Sequence, residues 1–347
     1  MAKQSSTPSD TAHSIDIIQL LRAGRLALDV RPPDEAGALH ASSVPVLADG
    51  ILYAGGKQCP RIAWLRWTGV DIPAEFNRIL MFGLGHQNEE IIAKELAAAR
   101  AAFLREDAAG CAISWTASGI RITGRPDFLI LGDVAGRARR PTLGLELKAV
   151  CSLWTMHKVH YALVPTSEHL VQAAHYSWQH GFLPWSLIYT SRVDWHLSTA
   201  PGWLQKKFPP GAYDVELGND GKPFKIVPFE RAYRLSWRPA PGSTELDDRA
   251  TLVYWTEGLT EAVPTRITPR SIQDGAALVG SLFQPRVGLG PRPGKVHVDG
   301  GDTYSPCQYC DLAEVCDQYE GSPDLWKDRA IQKVAEVRAE RRPEQED

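Results

Sequence analysis

The chain has 347 residues, room for one large domain or two ordinary ones. An apolar fraction of 44% is that of a globular protein with a real core, which excludes a disordered or low-complexity chain. With 41 acidic against 38 basic residues the net charge is −3, so overall charge draws it to no polyanion and any nucleic-acid binding has to come from a local patch.

No stretch approaches the roughly 20 apolar residues of a membrane span. Residues 1–10 are polar and rich in Ser and Thr, without the apolar core of a secretory signal. The expectation is a cytoplasmic protein with no membrane partner. There disulfides are rare, so six cysteines read as metal ligands or buried thiols.

Residues 1–13 read as a disordered leader. Ser14 can cap a short helix over Ile15–Arg22, ended by Gly24. The Pro- and Gly-containing stretch 31–50 reads as loop, leading into strands near Val46-Leu47 and Ile51–Tyr53. Next, Cys59-Pro60 opens a helix to about Trp67, because proline suits the first helical position. Cys59 then stands at the helix N-terminus, where a thiolate is favoured. A second helix is expected over Ala74–Arg100, broken near Gly83–Gly85. On it His86 can share a face with Glu89 or Glu90, while Ile91, Ile92 and Leu96 face a core.

Residues 112–122 alternate around Ala117-Ser118-Gly119, as a hairpin does, and run into Gly124-Arg125-Pro126-Asp127. Asp127 starts the strand Phe128–Leu131. After a link rich in Gly and Arg comes Leu145-Glu146-Leu147-Lys148. Strict alternation puts Glu146 and Lys148 on one face and Leu145 and Leu147 on the other. Two residues along a strand cover about 6.6 Å, so carboxylate and ammonium can share one small site. Two carboxylates and a lysine at the end of a hairpin can hold a hard divalent cation and orient a water.

Cys111 and Cys151 adjoin strands and read as buried free thiols. Thr166-Ser167-Glu168 starts a helix, His169–His180, that carries Gln172 and Tyr176 four apart on one face and ends at Gly181. Trp185–Thr190 reads as a buried strand with Val193–Ser198 as its partner. Residues 200–260 read as a β-rich insertion, with a hairpin turn at Asn219–Lys222 and strands near Ala232–Trp237 and Thr251–Trp255. A helix follows at Ser271–Phe283, and the stretch 327–347 is a charged run.

Cys307, Cys310 and Cys316 form Cys-x2-Cys-x5-Cys. Three sulfurs are local, so a four-ligand site needs another, and Cys59 is the natural one. The set suits an iron–sulfur cluster, with zinc as the second reading.

Taken in order, these motifs resemble the RecB-like branch of the PD-(D/E)XK nucleases that carry an iron–sulfur staple. That branch includes the AddB nuclease domain and the CRISPR-associated spacer-acquisition exonucleases. The resemblance runs through Cys59-Pro60-Arg61, Gly85-His86 with Glu89, Gly124–Asp127, Glu146-Leu147-Lys148, Gln172-x3-Tyr176 and the three C-terminal cysteines, over roughly residues 50–320. It departs in the 18 residues between Asp127 and Glu146 and in the 200–260 stretch. It implies an α/β fold with a restriction-endonuclease-like core, a mixed central sheet flanked by helices, and a cysteine staple at 305–318. The nuclease domain would span 46–326, after an N-terminal extension over 1–45 that is partly disordered. Mg²⁺ or Mn²⁺ would be held by His86, Asp127 and Glu146 with the Leu147 carbonyl. Lys148 would act on the water, Gln172 and Tyr176 would position substrate or lysine, and Arg61, Arg125 and Lys158 would meet phosphates. Cys59, Cys307, Cys310 and Cys316 would bind a 4Fe-4S cluster. The implied activity is a metal-dependent DNA exonuclease on single strands or duplex ends. Its partners would be recombination, replication or CRISPR adaptation proteins. Two other readings compete: a catalytically silent DNA-binding module with a structural cluster, and a zinc-stapled structural protein.

Overall fold

The structure is a computed structural model that describes residues 38–49, 51–53, 62, 63, 67, 76–134, 137–150, 152–191, 195, 196, 202–207, 215–217, 219, 220, 223–226, 229–281, 296, 297, 303, 304 and 328–336. The expected helix at Ile15–Arg22, the residues Arg61 and Cys151, and all four expected cluster cysteines lie outside them. Of the helix expected after Cys59, residues 62, 63 and 67 are described, and they are helical.

The order of elements is β1 (Ala38–His40), β2 (Val46–Ala48), β3 (Ile51–Tyr53), α1 (Phe76–Ala98), β4 (Ala102–Arg105), β5 (Ile113–Ala117), β6 (Ile120–Gly124), β7 (Phe128–Val134) and β8 (Arg137–Ala149). Then come α2 (Ser167–Gln179), β9 (Trp185–Ser191), β10 (Trp195–His196), β11 (Val215–Leu217), β12 (Pro223–Ile226), β13 (Phe229–Arg238), β14 (Thr251–Trp255), β15 (Val263–Pro264), α3 (Pro269–Ser281), β16 (Val296–His297) and β17 (Thr303–Tyr304). The result is a mixed α/β fold with mixed sheets flanked by helices.

The main sheet has seven strands in the order β15-β14-β13-β9-β8-β7-β4. Every neighbouring pair is antiparallel except β8 and β9, which run parallel. A parallel pair needs a long crossover, and α2 supplies it. The register pairs Glu146 with Leu187, Leu147 with Ile188 and Lys148 with Tyr189. Side chains alternate, so Glu146, Lys148, Leu187 and Tyr189 share the face toward α2. Leu145, Leu147 and Ile188 share the opposite face and pack with Phe128 beneath Ile92, Ala93 and Leu96 of α1. On the first face, Leu170, Val171, Ala173 and Ala174 of α2 join Trp185, Leu187, Tyr189, Tyr233 and Leu235 in the larger core. Each of the larger buried apolar side chains among these contributes about 1.5–3 kcal/mol.

Four expectations change. The helix α1 is continuous through Gly83 and Gly85. A glycine inside a helix costs about 1 kcal/mol, too little to break 23 residues anchored on the sheet at one end. The link between Asp127 and Glu146 is extended strand: β7 runs to Val134 and β8 starts at Arg137. Pro141 disturbs the register there, between Ile130 and Leu131. Proline has no N–H to give to the ladder. It is tolerated because β9 pairs with β8 only from Gly144 onward. The partner of β9 is β13, not Val193–Ser198, whose residues 195 and 196 pair with β12 instead. Finally, β13 and β14 are strands of the main sheet, so the expected insertion divides. Of the strands described there, β11 and β12 stay apart from the main sheet, in a three-stranded sheet with β10. No helix among the described residues is long and apolar enough to cross a membrane.

Candidate functional site

The strand β6 belongs to a second, three-stranded sheet, ordered β1-β6-β5. Residues 125–127 carry the chain from that sheet into the main one. Asp127 sits one step before Phe128, which pairs with Leu145, so Asp127 stands opposite Glu146. The Leu147 N–H donates to the Asp127 carboxylate at 2.6 Å, and Lys148 Nζ donates to Glu146 Oε1 at 2.6 Å. Glu146 is 1% exposed and its Oε2 is buried with no partner. A buried carboxylate oxygen without a donor is costly.

Charge is crowded here. Burial, then the charge of Glu146, pushes the Asp127 carboxyl well above its usual range, against the pull of Lys148 and the Leu147 N–H. Burial likewise raises Glu146, and Glu89 adds to the rise, while Lys148 opposes it. Burial pulls the Lys148 ammonium down, but Glu146 and Asp127 together outweigh it, and its proton is held more tightly than usual. Glu168 at the start of α2 adds to that hold.

The helix α2 brings in Gln172, whose Nε2 donates to the Tyr176 hydroxyl at 3.0 Å. Both side chains are buried. The Tyr176 hydroxyl feels the charges of Glu146 and Asp127 and also accepts the Arg125 backbone N–H. Burial first, then those charges, raise it well above the usual phenol range. Its ring lies over Gly124, where any Cβ would run into it. Glycine at 124 thus lets the strand end and the helix meet. At the helix start, the Tyr189 hydroxyl accepts the Thr166 N–H at 2.9 Å and meets His169 Nδ1 at 3.0 Å. At the helix end, Gly181 takes a φ of +75°. Left-handed backbone of that kind closes helices.

The helix α1 supplies the third acid. Asn88 is buried and its amide donates to Thr190 at the end of β9. Glu89, next to it, is the α1 acid whose charge reaches Asp127 and Glu146. Glu90 faces away and pairs with Arg105. His86 meets Glu89 Oε2 at 3.3 Å, and its side chain is 69% exposed. Its contact with this cluster runs through Glu89, at the rim. Among the described residues, no three His, Cys, Asp and Glu side chains stand together as a group able to hold a metal ion.

The structure therefore brings together Asp127, Glu146, Leu147, Lys148, Gln172 and Tyr176, and leaves His86 at the edge. Arg125 is exposed beside the cluster, and Lys158 lies beyond the end of β8. Asn88, Thr190 and Glu168 were not anticipated as part of this place. Only Glu168 left a sequence signal, an acid in the first turn of a helix. Cys111 is free and fully buried, as expected, and its thiol donates to the Pro126 carbonyl at 3.4 Å. Burial pushes that thiol up to about 12, so it stays protonated and inert.

No protein-family model matches the chain, and no curated protein matches it. Among solved structures, the protein SSO0001 overlaps with a TM-score of 0.33 at 17% identity, over 50% of this chain and 72% of that one. An overlap so slight carries no argument about function.

Proposed function

We propose that the chain is a metal-dependent deoxyribonuclease, an exonuclease of the RecB-like PD-(D/E)XK type acting on single strands or duplex ends. The setting that suits it is recombination, repair, phage replication or CRISPR adaptation, in the cytoplasm of a prokaryotic or phage-infected cell. The observation that carries the reading is the meeting of Asp127, Glu146 and Lys148 at adjoining strand ends, beneath the Gln172–Tyr176 pair. A module that only binds DNA has no use for a buried and a half-buried carboxylate that repel phosphate and each other. A protein that holds a divalent cation needs them.

The residues fit such an ion. Glu146 offers an oxygen with no partner, and Asp127, Glu146 and Glu89 together outnumber Lys148. Mg²⁺ or Mn²⁺ would be held by Asp127 and Glu146, with the Leu147 carbonyl and His86 as further donors. Bound there, the ion would lower the pKa of a water and neutralise charge on the scissile phosphate. Lys148 keeps its proton, so it acts as a donor that orients the water or steadies negative charge on the phosphate, not as a base. Tyr176 keeps its proton as well. Its hydroxyl accepts from Gln172 and the Arg125 N–H, which leaves its own proton free to point at the carboxylates. The same reading gives Cys59, Cys307, Cys310 and Cys316 a 4Fe-4S cluster that staples the two ends of the nuclease domain.

The test is cleavage of labelled DNA with Mg²⁺ or Mn²⁺. Asp127→Ala, Glu146→Ala and Lys148→Ala should each abolish it in folded protein. Any one of them cutting at the wild-type rate removes that residue from the mechanism.

A further inference from the structure

Where β8 ends, the chain turns outward. Ser152 caps the short helix Leu153–Met156 by accepting the Thr155 N–H at 3.1 Å, and a wide turn follows over His157–Tyr161. Trp154 stands on this segment and is 42% exposed. A second short helix, Gly202–Gln205, brings Trp203, which is 57% exposed. Among the described residues five large apolar side chains are exposed, and the two tryptophans among them touch. Their ring centroids are 5.6 Å apart with planes at 59°. Rings lying flat on one another would hide their faces, whereas this tilt leaves face area open on each. His157 stacks beside Trp154 at 6.1 Å and 21°, and Tyr161 beside His157 at 6.5 Å and 17°. Lys207 Nζ lies 4.9 Å from the Trp154 centroid and 5.9 Å from that of Trp203.

The charge of this patch is one-sided. Residues 152–162 and 202–207 contain Lys158, Lys206 and Lys207, and no Asp or Glu. The chain as a whole is acidic by three charges. An exposed tryptophan pair in neutral surroundings would suit an apolar protein face. A run of aromatic faces flanked by ammonium groups, on two segments that carry no carboxylate, suits a polyanion that offers flat, unpaired rings. Paired bases hide their faces in the stack, and unpaired ones do not. The place also fits, since Ser152 follows Lys148 by four residues at the same strand end.

We infer that Trp154 and Trp203, with Lys206 and Lys207, form a base-stacking platform that holds single-stranded DNA next to the candidate cleavage site. The choice of ligand rests on the nuclease reading and deepens it: the strand is gripped by its bases, outside the carboxylate cluster. Trp154 and Trp203 take no part in the chemistry.

The experiment uses the full chain with EDTA, so that binding is read without cutting. Fluorescence anisotropy is measured with labelled oligo-dT, an abasic chain of the same length, and a blunt duplex. Stacking on aromatic rings predicts about tenfold weaker oligo-dT binding for Trp154→Ala and for Trp203→Ala. Trp154→Phe should keep most of the affinity. The abasic chain should bind weakly and ignore the tryptophan changes. Both positions are exposed, and unchanged melting of each variant verifies the fold. Oligo-dT binding that survives both alanine changes overturns the platform. So does an abasic chain or duplex that binds as well as oligo-dT, or an absence of oligo-dT binding. A parallel assay with Mn²⁺ separates the two ideas. Tryptophan-dependent binding without cleavage keeps the platform and sinks the nuclease reading. Cleavage with tryptophan-independent binding does the reverse.

Discussion

Lys148→Met isolates the electrostatics of the cluster. Methionine keeps most of the stem and removes the ammonium that donates to Glu146 Oε1 at 2.6 Å. Glu146 is 1% exposed, and its other oxygen already has no partner. Breaking a buried pair by removing one member costs about 3–5 kcal/mol. Lys148 is 19% exposed, so water shares part of its role and the lower end applies, about 3 kcal/mol at pH 8. The loss should depend on pH with a definite sign. Glu146 and Asp127 already hold protons more tightly in the folded chain than unfolded carboxylates do, and losing Lys148 tightens them further. A carboxyl raised on folding favours the fold at low pH and costs stability as pH rises through its folded value. The deficit of Lys148→Met should thus be small near pH 5 and grow toward pH 8. Adding Glu146→Gln, which removes the orphaned charge, should recover most of it. Mn²⁺ should recover part of it in the single variant and less in the double. The assay is the urea midpoint at both pH values. A variant that unfolds like wild type at pH 8, or a double variant as weak as the single one, refutes the reasoning.

His175 is fully buried with both ring nitrogens unpartnered, and burial drives its pKa down to about 3. Stability should be intact above about pH 6.5 and fall by up to about 1.4 kcal/mol per pH unit below it. His175→Phe, keeping a ring beside Trp115, should flatten the decline by one proton, read as urea midpoints at pH 7 and 5; an unchanged slope rejects this. Cys316→Ser should lose iron and sulfide, melt lower, and lose nuclease activity only in step with unfolding. A cross-link from residue 59 to 307 restrains the unfolded chain by roughly a few kcal/mol, on the analogy of a long-loop disulfide. A variant that melts like wild type yet cannot cut would give the cluster a part in chemistry.

Local pattern carried much of the fold. The hairpin β5–β6, the face division of Glu146 and Lys148 against Leu145 and Leu147, and the Gln172–Tyr176 pair on α2 each follow from a period or a turn within about ten residues. Pairing across long separations did not show. The strand β9 took β13 because β13 offers seven paired residues and buries Phe229, Tyr233, Leu235 and Trp237 along one face. The nearer segment offers two paired residues, and to another strand. The choice between Glu89 and Glu90 was equally out of reach, since both lie within a helical turn of His86. A contact between Asn88 and Thr190, 102 residues apart, helps to fix the rotation of α1. The Trp154–Trp203 pair joins two segments with no common period.

Among the described residues, the buried polar atoms left without partners belong to Trp115, Glu146, His175, Trp185 and Arg231. They differ in kind. An indole N–H without an acceptor costs about 1–3 kcal/mol and has no way to relieve it. His175 escapes the larger cost of a buried charge by staying neutral, although its two ring nitrogens remain unpaired. The Arg231 guanidinium still donates to the Glu257 carbonyl at 3.0 Å and to the His160 carbonyl at 3.4 Å. Glu146 alone among them is an acid, held beside a second acid and raised further by the charge of a third, Glu89. Two neutral side chains of similar shape at 127 and 146 would pack the same strands with no such cost. What the carboxylates add over them is negative charge, which on the proposed reading would hold a cation. The stability lost in that corner is small beside the apolar layers on either side, where five buried side chains between α1 and the sheet and the larger core against α2 hold β7 and β8 in register. The sheet can therefore carry an unfavourable cluster at its strand ends without distorting. A fold that tolerates local cost at one spot, while local rules and packing agree elsewhere, commonly has its function at that spot.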